Sequence, residues 1–149
     1  MTILDRLNAD LKTAMRSRDA ERLSTLRMAI SAMTYRRIER NEQLSEEDQA
    51  DVLRKQVKQR DDAIEEFTKG GRPELAAKEL REREILSTYL PAELTPEELR
   101  AQVHQMLAPL GQPLAFGAAM KAVMAQLKDR ASGKAIQEAV REALAAKQA

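Results

Sequence analysis

Apolar residues recur at spacings of three and four along almost the whole chain, and nowhere do they alternate with polar ones over a strand's length. That pattern confines the fold to packed amphipathic helices. A 3.6-residue period gathers such residues on one face of a helix, whereas a strand would scatter them over both of its faces. Leu4, Leu7, Leu11 and Ala14 mark a first helix, with Thr2 as its cap and Asp5 three residues on in the manner of a capping box. Asp19 opens a second helix, whose stripe is Leu23, Leu26, Ile30 and Met33 and which runs to about Asn41. Ser45-Glu46-Glu47-Asp48 starts a third, a hydroxyl cap followed by acids that favour the positive helix end. It carries Leu53, Val57, Ile64 and Phe67 and stops at Gly70-Gly71. Pro73 opens a fourth helix, which holds Leu80, Leu86 and Leu90 and halts before Pro91.

A boundary follows at Pro91-Ala92-Glu93-Leu94, where the pattern pauses and a hinge is possible. Thr95-Pro96-Glu97-Glu98 combines cap, first-turn proline and N3 glutamate, and starts a fifth helix with the stripe Leu99, Val103, Met106 and Leu110. Pro109, Gly111 and Pro113 break it. A sixth helix packs through Phe116, Met120, Val123 and Leu127. The turn Asp129-Arg130-Ala131-Ser132-Gly133 leads to a seventh with Ile136, Val140 and Leu144. The expected architecture is therefore all-α: a four-helix N-terminal domain over residues 1–94 and a three-helix tail domain over 95–149.

The residue inventory excludes several kinds of chemistry. With no cysteine in 149 residues there is no disulfide framework, thiolate nucleophile or zinc knuckle. One histidine makes no His pair, and five scattered glycines make no phosphate-cradling loop. Neither metal nor cofactor is expected. The first residues show no basic stretch followed by an apolar core, and no run approaches the roughly 18 apolar residues of a membrane span. These features lead to the expectation of a cytoplasmic protein.

The polar residues read mostly as surface. Glu46-Glu47-Asp48, Asp61-Asp62 and Glu65-Glu66 sit among Arg and Lys at i+3 and i+4, as on solvated helix faces. His104 flanks the fifth helix's stripe with no acidic partner near it in sequence, and Ser24, Ser31, Ser87 and Thr88 lie in no activating motif. No catalytic residue is assigned. The seven methionines fall mostly on stripes and read as core filling, and three of the four aromatics read as packed. The basic run at Arg36, Arg37 and Arg40 complements the negative end of the second helix. From Thr95 onward seven basic residues face five acidic ones, against eighteen and nineteen before it. Lys121 and Lys128, seven apart, fall about 20° from each other around a helix. Arg130 and Lys134 surround the turn into the last helix. Gly133 leaves backbone N–H groups open there, beside a helix N-terminus that favours phosphate.

The stretch from Phe116 through Gly117 and Lys121 to Met124, followed by Lys128, Ala131, Gly133 and Lys134, resembles the tail signature of the GatB/YqeY family. So do Arg22-Leu23-Ser24-Thr25-Leu26-Arg27-Met28, Lys58-Gln59-Arg60-Asp61-Asp62-Ala63-Ile64 and Glu84-Ile85-Leu86-Ser87-Thr88-Tyr89-Leu90-Pro91, in one order over nearly the whole chain. The resemblance is to free-standing YqeY-like proteins. It implies a four-helix part and a three-helix tail. The same tail is appended to the B subunit of the tRNA-dependent amidotransferase, where it helps hold the tRNA body while a large catalytic domain carries the chemistry.

Lys128, Lys134, Gly117 and Gly133 match the tail pattern, and Arg130 keeps the charge of a usual lysine. Ala118 and Gln126 stand in place of lysines, Lys121 and Asp129 in place of glycines, and Ser132 replaces the aspartate before Gly133 while keeping a side chain able to cap. The candidate nucleic-acid-binding residues are thus Lys121, Lys128, Arg130 and Lys134, with Gly117, Ser132 and Gly133 shaping the turn.

Three readings follow. The first is a tRNA- or RNA-binding accessory protein without catalytic machinery, whose four phosphate contacts would give a log–log salt slope of about −3 to −4. The second is a helical module that docks on an amidotransferase subunit or another cytoplasmic protein. The third, a carbon–nitrogen ligase with glutamine as amide donor, ranks last because no nucleotide loop, metal cluster or nucleophile is legible. Amidation of Glu-tRNA(Gln) by the purified chain alone would reinstate it.

Overall fold

The computed structural model describes residues 1–111, 113–128 and 130–148. Among these, the protein is all-α, with seven helices and no strand. The helices are α1 (Ile3–Ser17), α2 (Ala20–Arg40), α3 (Glu46–Lys69), α4 (Pro73–Ser87), α5 (Pro96–Leu107), α6 (Phe116–Leu127) and α7 (Gly133–Gln148). They divide into two compact units, Met1–Leu90 and Pro91–Ala149.

Local chemistry sets most helix starts. Thr2 with Asp5, Ser45 with Asp48 and Thr95 with Glu98 each form a reciprocal capping box, satisfying N–H groups that the first turn leaves without partners. The bond from the Thr2 backbone N–H holds the Asp5 carboxyl below the usual carboxylate range. The Ser45 hydroxyl, and then Arg40 at 2.7 Å, do the same for Asp48. At the end of α3 the chain turns through Gly71, whose φ of 69° lies in the left-handed region that favours glycine.

In the first unit α1 pairs with α2 and α3 with α4, and α2 also packs on α3 and α4. Leu7, Leu26, Met33, Leu53 and Leu86 meet in its core. Buried Gln49 is satisfied at both ends of its amide: it accepts from the Leu4 N–H at 2.9 Å and donates to the Leu44 carbonyl at 3.3 Å. In the second unit α7 packs against both α5 and α6, closing a core that includes Val103, Leu107, Val123, Ile136 and Val140.

Several expectations change once the helices pack. α4 ends at Ser87 rather than at Leu90. The Ser87 and Thr88 hydroxyls take the carbonyls of Arg83 and Ile85, and the Tyr89 and Leu90 N–H groups bond three residues back, to Leu86 and Ser87, before Pro91. Leu80, expected in the same stripe as Leu86, is exposed. α5 ends at Leu107, and Leu110 lies outside it on the surface. Met1, Met15 and Met28 are exposed, so core filling accounts for the other four methionines. Of the aromatics only Tyr89 is fully buried among the described residues; Tyr35 and Phe116 are exposed. Residues 91–94 belong with the second unit, where Leu94 joins the core and its N–H donates to the Arg130 carbonyl at 2.6 Å.

Tyr89 joins distant parts of the first unit. Its hydroxyl donates to the Asp10 carboxylate, and the Arg6 guanidinium lies 5.0 Å over its ring. Burial, and then the bond to the carboxylate, push the phenol up to about 12. The folded value exceeds the unfolded one of about 10, so this contribution is complete below about pH 10 and is lost as the pH rises through about 12. Tyr89→Phe should therefore remove part of the fall in stability between pH 10 and 12, read from urea unfolding over a pH series. Parallel curves for wild type and variant would contradict this.

Candidate nucleic-acid interface

The turn between α6 and α7 gathers most of the predicted residues, because Ala119, Val123 and Leu127 of α6 and Ile136, Val140 and Ala143 of α7 bury their faces in one core. The outward side of α6 then carries Gly117, Lys121 and Lys128, all exposed. Lys128 is the C-cap, with near-helical backbone (φ −57°, ψ −26°), so it keeps close to the angular position of Lys121, seven residues earlier. Ser132 caps the start of α7: its Oγ accepts from the Ala135 N–H at 3.1 Å and its carbonyl from the Ile136 N–H at 3.0 Å. Gly133 and Lys134 follow, both exposed, where the positive end of the helix dipole adds to the lysine's attraction for an anion. A Cβ at Gly117 or Gly133 would meet no atom within 4 Å. Neither glycine is required by crowding, and the backbone at both stands open to an approaching ligand.

Arg130 is engaged within the second unit. It is half-buried, its Nε donates to the Ala92 carbonyl at 2.7 Å, and its own N–H donates to the Leu127 carbonyl at 3.0 Å. It clips residues 92–94 to the turn, so at least one guanidinium donor is committed inside the fold. Asp129 lies outside the described residues.

The rest of the basic census is also partly absorbed. The Lys147 ammonium donates to the carbonyls of Leu107 (2.6 Å) and Leu110 (2.7 Å), satisfying the end of α5. Arg141 lies 5.4 Å over the Phe116 ring, and Arg100 pairs with Glu97 at 3.7 Å. On the α5–α7 side a groove of about 340 Å³ is lined by Glu93, Glu138 and Glu142, with Arg100 and Ser132. A polyanion would meet repulsion there. No group of three His, Asp or Glu residues among those described is placed to hold a metal ion, and no helix is long and apolar enough to cross a membrane.

The sequence reading missed a second surface, a groove between α2 and α3 bordered by Met28 and Tyr35. The signal was present: these residues lie seven apart, about 150° around α2 from the core stripe of Leu26 and Met33.

Comparison with known proteins extends this picture. The Kluyveromyces lactis protein named "Altered inheritance of mitochondria protein 41, mitochondrial" is 38% identical over 108 residues, covering 70% of this chain and 58% of that protein. The protein of the same name from Lachancea thermotolerans is 36% identical over 110 residues (71% and 58%), and that from Candida glabrata 32% over 90 residues (59% and 50%). The chain thus spans between half and three-fifths of the length of these relatives. Their names overturn the expected cytoplasmic location, since all three are named as mitochondrial proteins. The physical reason is that a helical core with balanced surface charge serves equally well in either compartment. A family model described as Yqey-like protein matches residues 4–144, through both helical units and across the turn at Ser132, and the chain belongs to that YqeY-like family.

Proposed function

We propose that this chain is an RNA-binding accessory protein whose RNA is tRNA, acting through phosphate contacts rather than catalysis. The observation that carries this reading is the exposed set Lys121, Lys128 and Lys134 around the Ser132-capped start of α7. It lies in the part of the chain that resembles the tail of the tRNA-dependent amidotransferase B subunit. Phe116 is the only aromatic residue after Pro91, and Arg141 covers it, so base stacking contributes little. Recognition rests on backbone charge and helix shape.

Fluorescence anisotropy with bulk tRNA, mitochondrial tRNA and an unrelated duplex RNA tests it; the mitochondrial pool is included because the fungal relatives carry that location in their names. Three lysine contacts predict a log–log salt slope of about −2 to −3. That is shallower than four contacts would give, because Arg130 is partly committed to Ala92. Lys128→Ala/Lys134→Ala should reduce the slope by roughly 1.5 to 2. A salt-independent titration, or equal binding to tRNA and the unrelated duplex, would defeat the proposal.

A further inference from the structure

A groove of about 660 Å³ runs between α2 and α3 in the first unit, whereas the residues assigned to RNA belong to the second. Leu23, Met28, Ala32 and Tyr35 give it an apolar floor and one wall. Met28 is 47% exposed and Tyr35 71%, on the side of α2 opposite the completed core stripe. The core therefore does not use the apolar surface of Met28 and Tyr35, although Leu23 beside them packs against that core. Tyr and Met, with Arg, are the side chains enriched where proteins meet.

The charges along the groove point to its occupant. Arg27 and Arg60 line it, and no carboxylate does. Arg60 is held from behind by Glu82 at 3.5 Å, while Arg27 has no ion pair among the described residues. A second copy of the chain is a poor fit: in a two-fold dimer the same patch faces itself, which would bring two Arg27 charges into one interface with no carboxylate of the groove to offset them. An acidic partner has the complementary charge. From Ser24 to Tyr35 the groove follows twelve residues of α2, a rise of about 16 Å, which is three turns of helix.

We propose that this groove receives one amphipathic helix of about three turns from a different, acidic protein. Its apolar stripe rests on Met28 and Tyr35 and its carboxylates stand beside Arg27, the helix-in-groove mode of recognition. The serines and glutamines along both rims (Ser24, Ser31, Gln56 and Gln59) supply neutral hydrogen-bonding groups around that contact.

The test is a displayed library of 14-residue amphipathic helical peptides that share one leucine stripe and differ only in flank residues: Glu, Gln or Lys. It is sorted on the full-length chain, and the selected peptides are titrated by anisotropy. Glu-flanked peptides should be enriched, and Tyr35→Ala should weaken them about tenfold or more. Arg27→Glu should turn the preference toward Lys-flanked peptides. Both positions are exposed, and far-UV circular dichroism checks that the variants stay folded. No enrichment, or enrichment blind to flank charge, overturns the proposal. So does a self-association in sedimentation that Tyr35→Ala abolishes, which would make the occupant a second copy. Loss of tRNA binding in Tyr35→Ala without any peptide selection would assign the groove to RNA instead.

Discussion

Glu82→Gln should destabilise the first unit by about 3–5 kcal/mol, because it leaves the Arg60 charge buried without its counter-ion. The pair lies inside the α3–α4 contact, with Arg60 5% and Glu82 7% exposed and 3.5 Å between Nε and Oε2. The remaining contacts of Arg60 are neutral: one terminal nitrogen donates to the Gln56 Oε1 at 3.0 Å, and the other lies 3.7 Å from the Met28 sulfur. The guanidinium Nε is buried with no hydrogen-bond acceptor in good geometry, so the carboxylate supports it by charge. For a unit of about 90 residues, roughly 4–8 °C per kcal/mol translates the loss into a melting midpoint lower by more than about 12 °C. Thermal and urea unfolding read this directly. Arg60→Met/Glu82→Leu should return to within about 1 kcal/mol of wild type or exceed it, since a well-packed apolar pair avoids the desolvation cost. A midpoint within about 3 °C of wild type for Glu82→Gln would show that the buried pair is not what holds α3 to α4.

Leu86→Ala should cost about 3–5 kcal/mol, while Leu80→Ala on the same helix should cost less than about 1 kcal/mol. Leu86 is 0% exposed in the first core, so truncation leaves a cavity that its neighbours cannot fill. Leu80 is 45% exposed and stands at the rim of a shallow pocket with Ile64, Pro73 and Ala77. Its truncation mostly returns surface to water, and alanine's higher helix propensity offsets little. Urea unfolding of the two variants measures the gap. Comparable losses would mean that α4 packs through a different face.

The local grammar of the chain was legible without a structure. A capping box spans four residues and an apolar stripe repeats within one turn, so Thr2, Ser45 and Thr95 announce helix starts wherever the rest of the chain goes. The all-α class and the four-then-three order follow from such signals. The turn at Ser132 was legible in the same way, because a hydroxyl before a periodic run caps whatever follows it.

What stayed hidden depends on residues far apart in the chain. Leu80 and Leu86 carry equal apolar signals, and only the helices beside α4 decide that one faces the core and the other the solvent. Counting lysines and arginines likewise treats every charge as available. Packing instead gives Arg130 to Ala92, Lys147 to the end of α5 and Arg60 to Glu82, partners 22 to 40 residues away. The sequence by itself determined which segments are helical and where they begin, since those signals act within a turn. Only the tertiary structure decided which charges and apolar faces remain for a partner, because that is settled by the surface each helix buries against the others.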